Sequence, residues 1–110
     1  MDAGVERRLL GLLGLGVRAR TVVVGVEQVR SAAHRGLLHL AVFAPDASRN
    51  SLEKVLPLLR AKRVRVIEGP SASVLGAAVG REATAAVGIV DRDLAKGVRA
   101  IAGLGPAGAP

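Results

Sequence analysis

Apolar positions along this chain change period several times, and each change marks an element. Leu9, Leu12 and Leu13 form a helical stripe with Glu6, Arg7 and Arg8 off it, which predicts a helix over Val5–Leu15. Gly11, Gly14 and Gly16 weaken that helix and predict fraying by Gly14. Arg18–Val24 reads as a short strand opened by Arg18 and Arg20 and closed by three β-branched valines. Gly25 then permits a sharp turn and the close approach of a partner. From Val26 the period becomes helical. Val26, Val29 and Ala33 share one stripe with Ala32 beside it, and Glu27, Arg30, Ser31 and His34 share another. Gln28–Arg35 is the body of this helix, and Gly36 is placed to end it.

Leu37–Ala44 is apolar nearly throughout, as expected of a strand buried on both faces. Pro45 and Asp46 break it. Asn50 followed by Glu53 has the spacing of a capping box, and a helix runs on to about Lys62 with Leu52, Val55, Leu56 and Leu59 inward. Pro57 lies inside it, removes one backbone hydrogen bond and should bend it. Val64–Ile67 is a short strand, Glu68–Ser71 a loop, and Ser71 or Ser73 caps a short helix through Leu75 to Val79 that Gly80 ends. Gly76 and Gly80 have a spacing that suits close packing. Ala83–Val90 is another buried strand, and Asp91 caps a last helix lined by Leu94, Val98 and Ile101. The order is α β α β α β α β α. It predicts an α/β fold with a four-stranded mixed sheet between helical layers, one domain over 1–102 and a structureless tail over 103–110.

Composition narrows the function. Half of the 110 residues are hydrophobic, enough for a core in one domain of ordinary size, yet Phe43 is the only aromatic residue. Sixteen Lys and Arg against nine Asp and Glu give a net charge of +7, mostly from arginine, which suits a polyanionic partner, nucleic acid above all. Arg60, Lys62, Arg63 and Arg65 form a basic cluster that suits a solvated helix end and a phosphate contact equally. The absence of cysteine excludes disulfides, thiolate zinc sites and cysteine catalysis, and fits a reducing compartment. His34 and His39 have no acidic cluster beside them, so no metal site is expected. No apolar run reaches the length of a membrane span, and the start lacks a signal-peptide layout. A cytoplasmic protein without membrane contact is expected.

Three catalytic or cofactor signatures fail. Gly14-Leu15-Gly16-Val17-Arg18-Ala19 matches a dinucleotide fingerprint in letters, but it follows a helix and leads into a strand, the reverse of what that motif requires. There is no Walker-type phosphate loop. Asp91 and Asp93 read as helix-start residues, and no serine, histidine and acid form a nucleophile signature. Neither catalysis nor a cofactor is expected.

The modes of RNA binding that stack bases on exposed aromatics fail, because Phe43 lies in a buried strand, and the βα alternation does not suit a helix-turn-helix. What remains is the start of the Val26 helix. Its first turn has backbone N–H groups that no residue of the helix can satisfy, and Glu27 and Gln28 beside them can hydrogen-bond base edges. An ordinary amphipathic helix preceded by glycine would give the same pattern.

Four segments carry a family resemblance: Gly25-Val26-Glu27-Gln28-Val29, Val42-Phe43-Ala44-Pro45-Asp46-Ala47-Ser48, Leu56-Pro57, and Leu75-Gly76-Ala77-Ala78-Val79-Gly80. Together with the spacing between them, over about Leu9 to Ile101, the chain resembles the kink-turn-binding superfamily of archaeal and eukaryotic large-subunit ribosomal proteins, most closely its small bacterial YlxQ-type members. The resemblance implies a three-layer α-β-α sandwich. It also implies that Gly25, Val26, Glu27 and Gln28 insert at tandem G·A pairs of a kinked RNA, that Arg18, Arg20 and Arg30 hold flanking phosphates, and that Gly69, Pro70 and Ser71 cover an unstacked nucleotide. Three positions depart from the family pattern. Glu27-Gln28 stands where many members have Asn-Glu, Ser31 stands where a basic residue is common, and the loop at Gly69 offers only Pro70 as an apolar residue. The function implied is RNA binding, ribosome-associated, by a monomer whose partners are a ribosomal or kink-turn-containing RNA and ribosomal proteins. The alternative is a protein-interaction module of the same fold that docks a ribosomal or translation partner.

Overall fold

The computed structural model describes residues 2–103. The first helix, α1 (Ala3–Arg18), opens on Asp2, whose carboxylate accepts from the Val5 N–H at 2.8 Å. It does not fray at Gly14. Packing explains why: a side chain on Gly16 would meet Val22 Cγ2 at 2.4 Å and Leu94 Cδ2 at 2.6 Å, and one on Gly14 would meet the Ala78 carbonyl at 3.1 Å. These glycines give up helix propensity so that a strand and two helices can close on α1. Because α1 runs on to Arg18, the strand expected over Arg18–Val24 shrinks to β1 (Val22–Val24). Arg18 becomes the last helical residue, and Arg20 occupies a turn with φ 63°.

Gly25, with φ 95° and ψ 155°, turns the chain into α2 (Val26–His34), and Gly36 follows its end. β2 (Leu40–Phe43) is buried at every residue, as its unbroken apolar run requires. α3 (Arg49–Ala61) is capped by Ser48, whose hydroxyl accepts from the Ser51 N–H at 3.1 Å. Asn50 is therefore inside the helix, and the cap lies two residues before it. Two cap-competent residues stood close together, and the turn after Pro45 selected the first. β3 (Arg65–Glu68) leads to α4 (Ala72–Ala78), capped by Ser71. β4 (Ala86–Ile89), again fully buried, leads to α5 (Arg92–Ile101), capped by Asp91. Beyond Gly103, the tail expected to be structureless lies outside the described residues.

The strands form one mixed sheet in the order β1-β4-β2-β3. β4 is antiparallel to both neighbours, and β2 and β3 are parallel. Each face carries a helical layer. On one, Val29, Ala32 and Ala33 of α2 and Val55 and Leu59 of α3 pack on Ala41, Phe43 and Ala86. On the other, Leu9 and Leu13 of α1, Leu75 of α4 and Ala95 and Val98 of α5 pack on Val22, Leu40, Val42, Val87 and Ile89. The period-2 alternation of side chains along β2 divides its residues between these cores. The result is an α-β-α sandwich built without aromatic stacking.

The register defines two ends. Val22, Ile89, Leu40 and Arg65 align across the sheet at one end; Val24, Val87 and Val42, followed by Phe43 and Glu68, lie toward the other. α2 and α3 both start at this second end, since each follows a strand that runs toward it.

Candidate nucleic-acid interface

Among the described residues, four of the five helices have a side-chain cap, from Asp2, Ser48, Ser71 and Asp91; α2 has none. Gly25 supplies no oxygen to the first turn of α2. Its own N–H is held by the Ala86 carbonyl at 2.8 Å, and its carbonyl accepts from the Val29 N–H at 3.0 Å. The N–H groups of the first turn therefore face outward with the positive end of the helix dipole. Glu27 and Gln28 are exposed on that turn, and Val26 is half-buried.

One turn on, Arg30 and Ser31 join Glu27, His34 and Arg35 around a shallow polar groove on the outer side of α2. α3 lies alongside. Its Lys54 Nζ comes within 3.9 Å of Glu27 Oε1, with both side chains largely in solvent. An exposed pair of this kind contributes little stability, so either partner can exchange it for another ligand at small cost. Arg49, the first residue of α3, is also exposed at this end of the sheet.

Gly69, Pro70 and Ser71 lie at this same end, after β3. The Gly69 N–H donates to the Phe43 carbonyl at 2.8 Å, and Asp46 accepts from the Ala72 N–H at 2.8 Å, which ties the loop to the turn after β2. Three strand spacings, about 14 Å across the sheet, separate the β1 edge from the β3 edge that this loop follows. Pro70 is buried, so the apolar residue expected to cover a nucleotide faces the protein; Ser71 is half-buried.

Arg18 and Arg20 are not part of this end. They precede Val22, so β1 carries the chain from them across the whole sheet before it reaches Gly25. The expected framing of the α2 start by these arginines is thus corrected: a strand that links two motifs in sequence holds them apart in space. The cations that do stand near Glu27 and Gln28 are Arg30, Lys54 and Arg49. The sequence reading missed Lys54 and Arg49, which come from a helix more than twenty residues away. It also missed Asp46, whose carboxylate anchors the neighbouring loop. Among the described residues no group of three or more His, Asp or Glu could hold a metal ion, and no helix is long and apolar enough to cross a membrane.

A four-stranded mixed sheet between helical layers, with one uncapped and exposed helix start, is a class of α/β domain that comparison with known proteins identifies. The chain belongs to the Ribosomal protein L7Ae/L30e/S12e/Gadd45 family, whose profile matches residues 7–98. It is 34% identical over 84 residues to the RNA-binding protein YlxQ of Bacillus subtilis (strain 168), covering 76% of this chain and 84% of that one. A Bacillus halodurans C protein of unknown function superposes with a TM-score of 0.79 at 29% identity, over 86% of this chain and 95% of its own. The Giardia lamblia 15.5kD RNA binding protein shares the fold, with a TM-score of 0.74 at 23% identity over 94% of this chain and 87% of its own.

Proposed function

We propose that this chain is an RNA-binding protein that recognises a structured internal loop, of the kink-turn type, with the start of α2. The observation that carries this reading is the uncapped first turn of α2, which presents Glu27 and Gln28 to solvent. Family membership and the RNA-binding function of the Bacillus subtilis relative support it.

Backbone N–H groups of that turn donate to a phosphate or base acceptor. Glu27 accepts from base amino or imino groups, and Gln28 both donates and accepts. Gly25 leaves room for a base, because nothing lies within 4 Å of where its side chain would be. The strand then runs over α2 and α3, where Arg30, Lys54 and Arg49 neutralise phosphates. Glu68, the last residue of β3, and Glu82, in the loop before β4, oppose a path toward the β3 edge instead. Ser31, where a basic residue is common in the family, is compensated by Lys54, which approaches Glu27 from α3. The protein works by binding rather than by catalysis, as a monomer in the cytoplasm, in contact with ribosomal RNA or another RNA holding such a loop.

A gel shift with a kink-turn RNA and a version stripped of its G·A pairs tests the reading. The expected result is tight binding of the first and weak, salt-sensitive binding of the second. Equal binding of both at moderate salt rejects it and leaves the alternative, a protein-docking module.

A further inference from the structure

The far end of the sheet carries an excess of positive charge. Arg18, Arg20, Lys62, Arg63 and Arg92 all stand there and all are exposed, whereas Arg35, at the end of α2, belongs with the groove beside Glu27 that it lines. The carboxylates of the same end are Asp91 and Asp93, so the five cations exceed them by three. Among the described residues none of the five is ion-paired.

Helix ends alone do not account for this. α1, α2 and α3 all finish at this end, each closed by the same pair of hydrogen bonds. These run from Arg20 and Thr21 to Val17 and Gly16, from Gly36 and Leu37 to Ala33 and Ala32, and from Arg63 and Val64 to Arg60 and Leu59. Three helix C-termini, partly offset by the α5 start at the same end, bring about −1 charge in total. An excess of three cations is about three times that. Moreover, the position after each helix cap adopts a positive φ: 70° at Gly36, 63° at Arg20 and 58° at Arg63. Only α2 uses glycine there, the residue that this closing turn favours. In α1 and α3 the chain accepts an unfavourable backbone conformation and keeps arginine.

We infer that this end is a second, independent contact surface for the phosphate backbone of an RNA duplex, so that the protein bridges two RNA segments. Arginine forks onto phosphate oxygens, and a row of cations without base-reading side chains suits backbone recognition. A protein partner fits less well, because interfaces between proteins are built around clustered apolar and aromatic anchors, and among the described residues the exposed large apolar residues near these turns are Leu15 and Leu37, on two different helix ends. The two surfaces lie at opposite ends of the sheet. The inference rests on charge placement and stands whether or not the α2 start selects a kinked loop.

The test uses the full chain and a variant carrying Arg20→Gly, Lys62→Gln, Arg63→Gly and Arg92→Gln. The two glycines relieve backbone strain, so the variant should fold, which circular dichroism and thermal melting check. Each protein is titrated with a plain RNA duplex and with a short internal-loop RNA. It is then asked to carry a labelled duplex onto immobilised internal-loop RNA. The native chain is expected to capture the duplex. The variant should bind the internal loop within about twofold of native but lose plain duplex tenfold or more, with the slope of log affinity on log salt shallower by about 2 to 4. A second variant, Glu27→Ala with Gln28→Ala, should keep duplex binding while losing the internal loop. Unchanged duplex affinity in the first variant overturns the inference, as does an equal loss of both RNAs. Preference of the native far end for a polyglutamate peptide over duplex also overturns it, in favour of an acidic protein partner. Failure of the native chain to discriminate G·A pairs, with far-end duplex binding intact, rejects only the kinked-loop reading.

Discussion

Glu27 and Gln28 are exposed and hold nothing in the core, so their removal tests the proposed recognition apart from folding. The double change to alanine should move stability by no more than about 0.5 kcal/mol in urea denaturation. Affinity for an internal-loop RNA should fall by about 1–3 kcal/mol for each base edge deprived of its hydrogen bonds. Affinity for plain duplex should stay where it is. Gly25 is the opposite case. At φ 95° and ψ 155° it occupies a region that only glycine enters readily, while nothing crowds its missing side chain. Gly25→Ala should therefore cost about 1–3 kcal/mol of stability through backbone strain, with an unchanged urea m-value. It should also weaken RNA binding, since the turn that aims the first N–H groups of α2 would distort.

At the scale of elements, glycines of one type serve different ends. A side chain on Gly76 of α4 would stand 2.6 Å from the Ala83 Cα and 2.8 Å from its N, both backbone atoms that cannot swing aside. Gly76→Ala should destabilise the protein by about 1–3 kcal/mol. Gly11 of α1 is exposed and has nothing within 4 Å of the same position, so Gly11→Ala should stabilise by about 0.5–1 kcal/mol. Thermal melting of the two variants checks both signs. The sequence cannot tell these glycines apart, because each looks like a defect in an amphipathic stripe; the difference lies in what packs against them. The early end expected for α1 and the cap expected at Asn50 failed for the same reason. Local propensity ranked the candidates, and packing from β1, α4 and α5, or the turn after Pro45, made the choice.

For the whole molecule, a net charge of +7 overstates what the proposed internal-loop site has available. Arg30, Arg35, Arg49 and Lys54 are the cations near it, so a short internal-loop RNA should show a log–log salt slope of only about −3 to −4. A slope near about −6 for that RNA would mean that one ligand reaches both ends of the sheet.

The chain's own pattern determined the elements and their type, because burial periodicity is local: the unbroken apolar runs at β2 and β4, the two stripes of α2, and Asp91 at the start of α5 are all readable over a few residues. The lone aromatic, set in an apolar run, likewise removed base-stacking modes on composition and pattern alone. Only the tertiary structure decided which charges share a surface. Register across four strands set Arg18 and Arg20 at one end and Gly25 at the other, and the packing of α3 beside α2 brought Lys54 to Glu27. Proximity of that kind depends on how strands align and helices cross, which no spacing along one segment encodes.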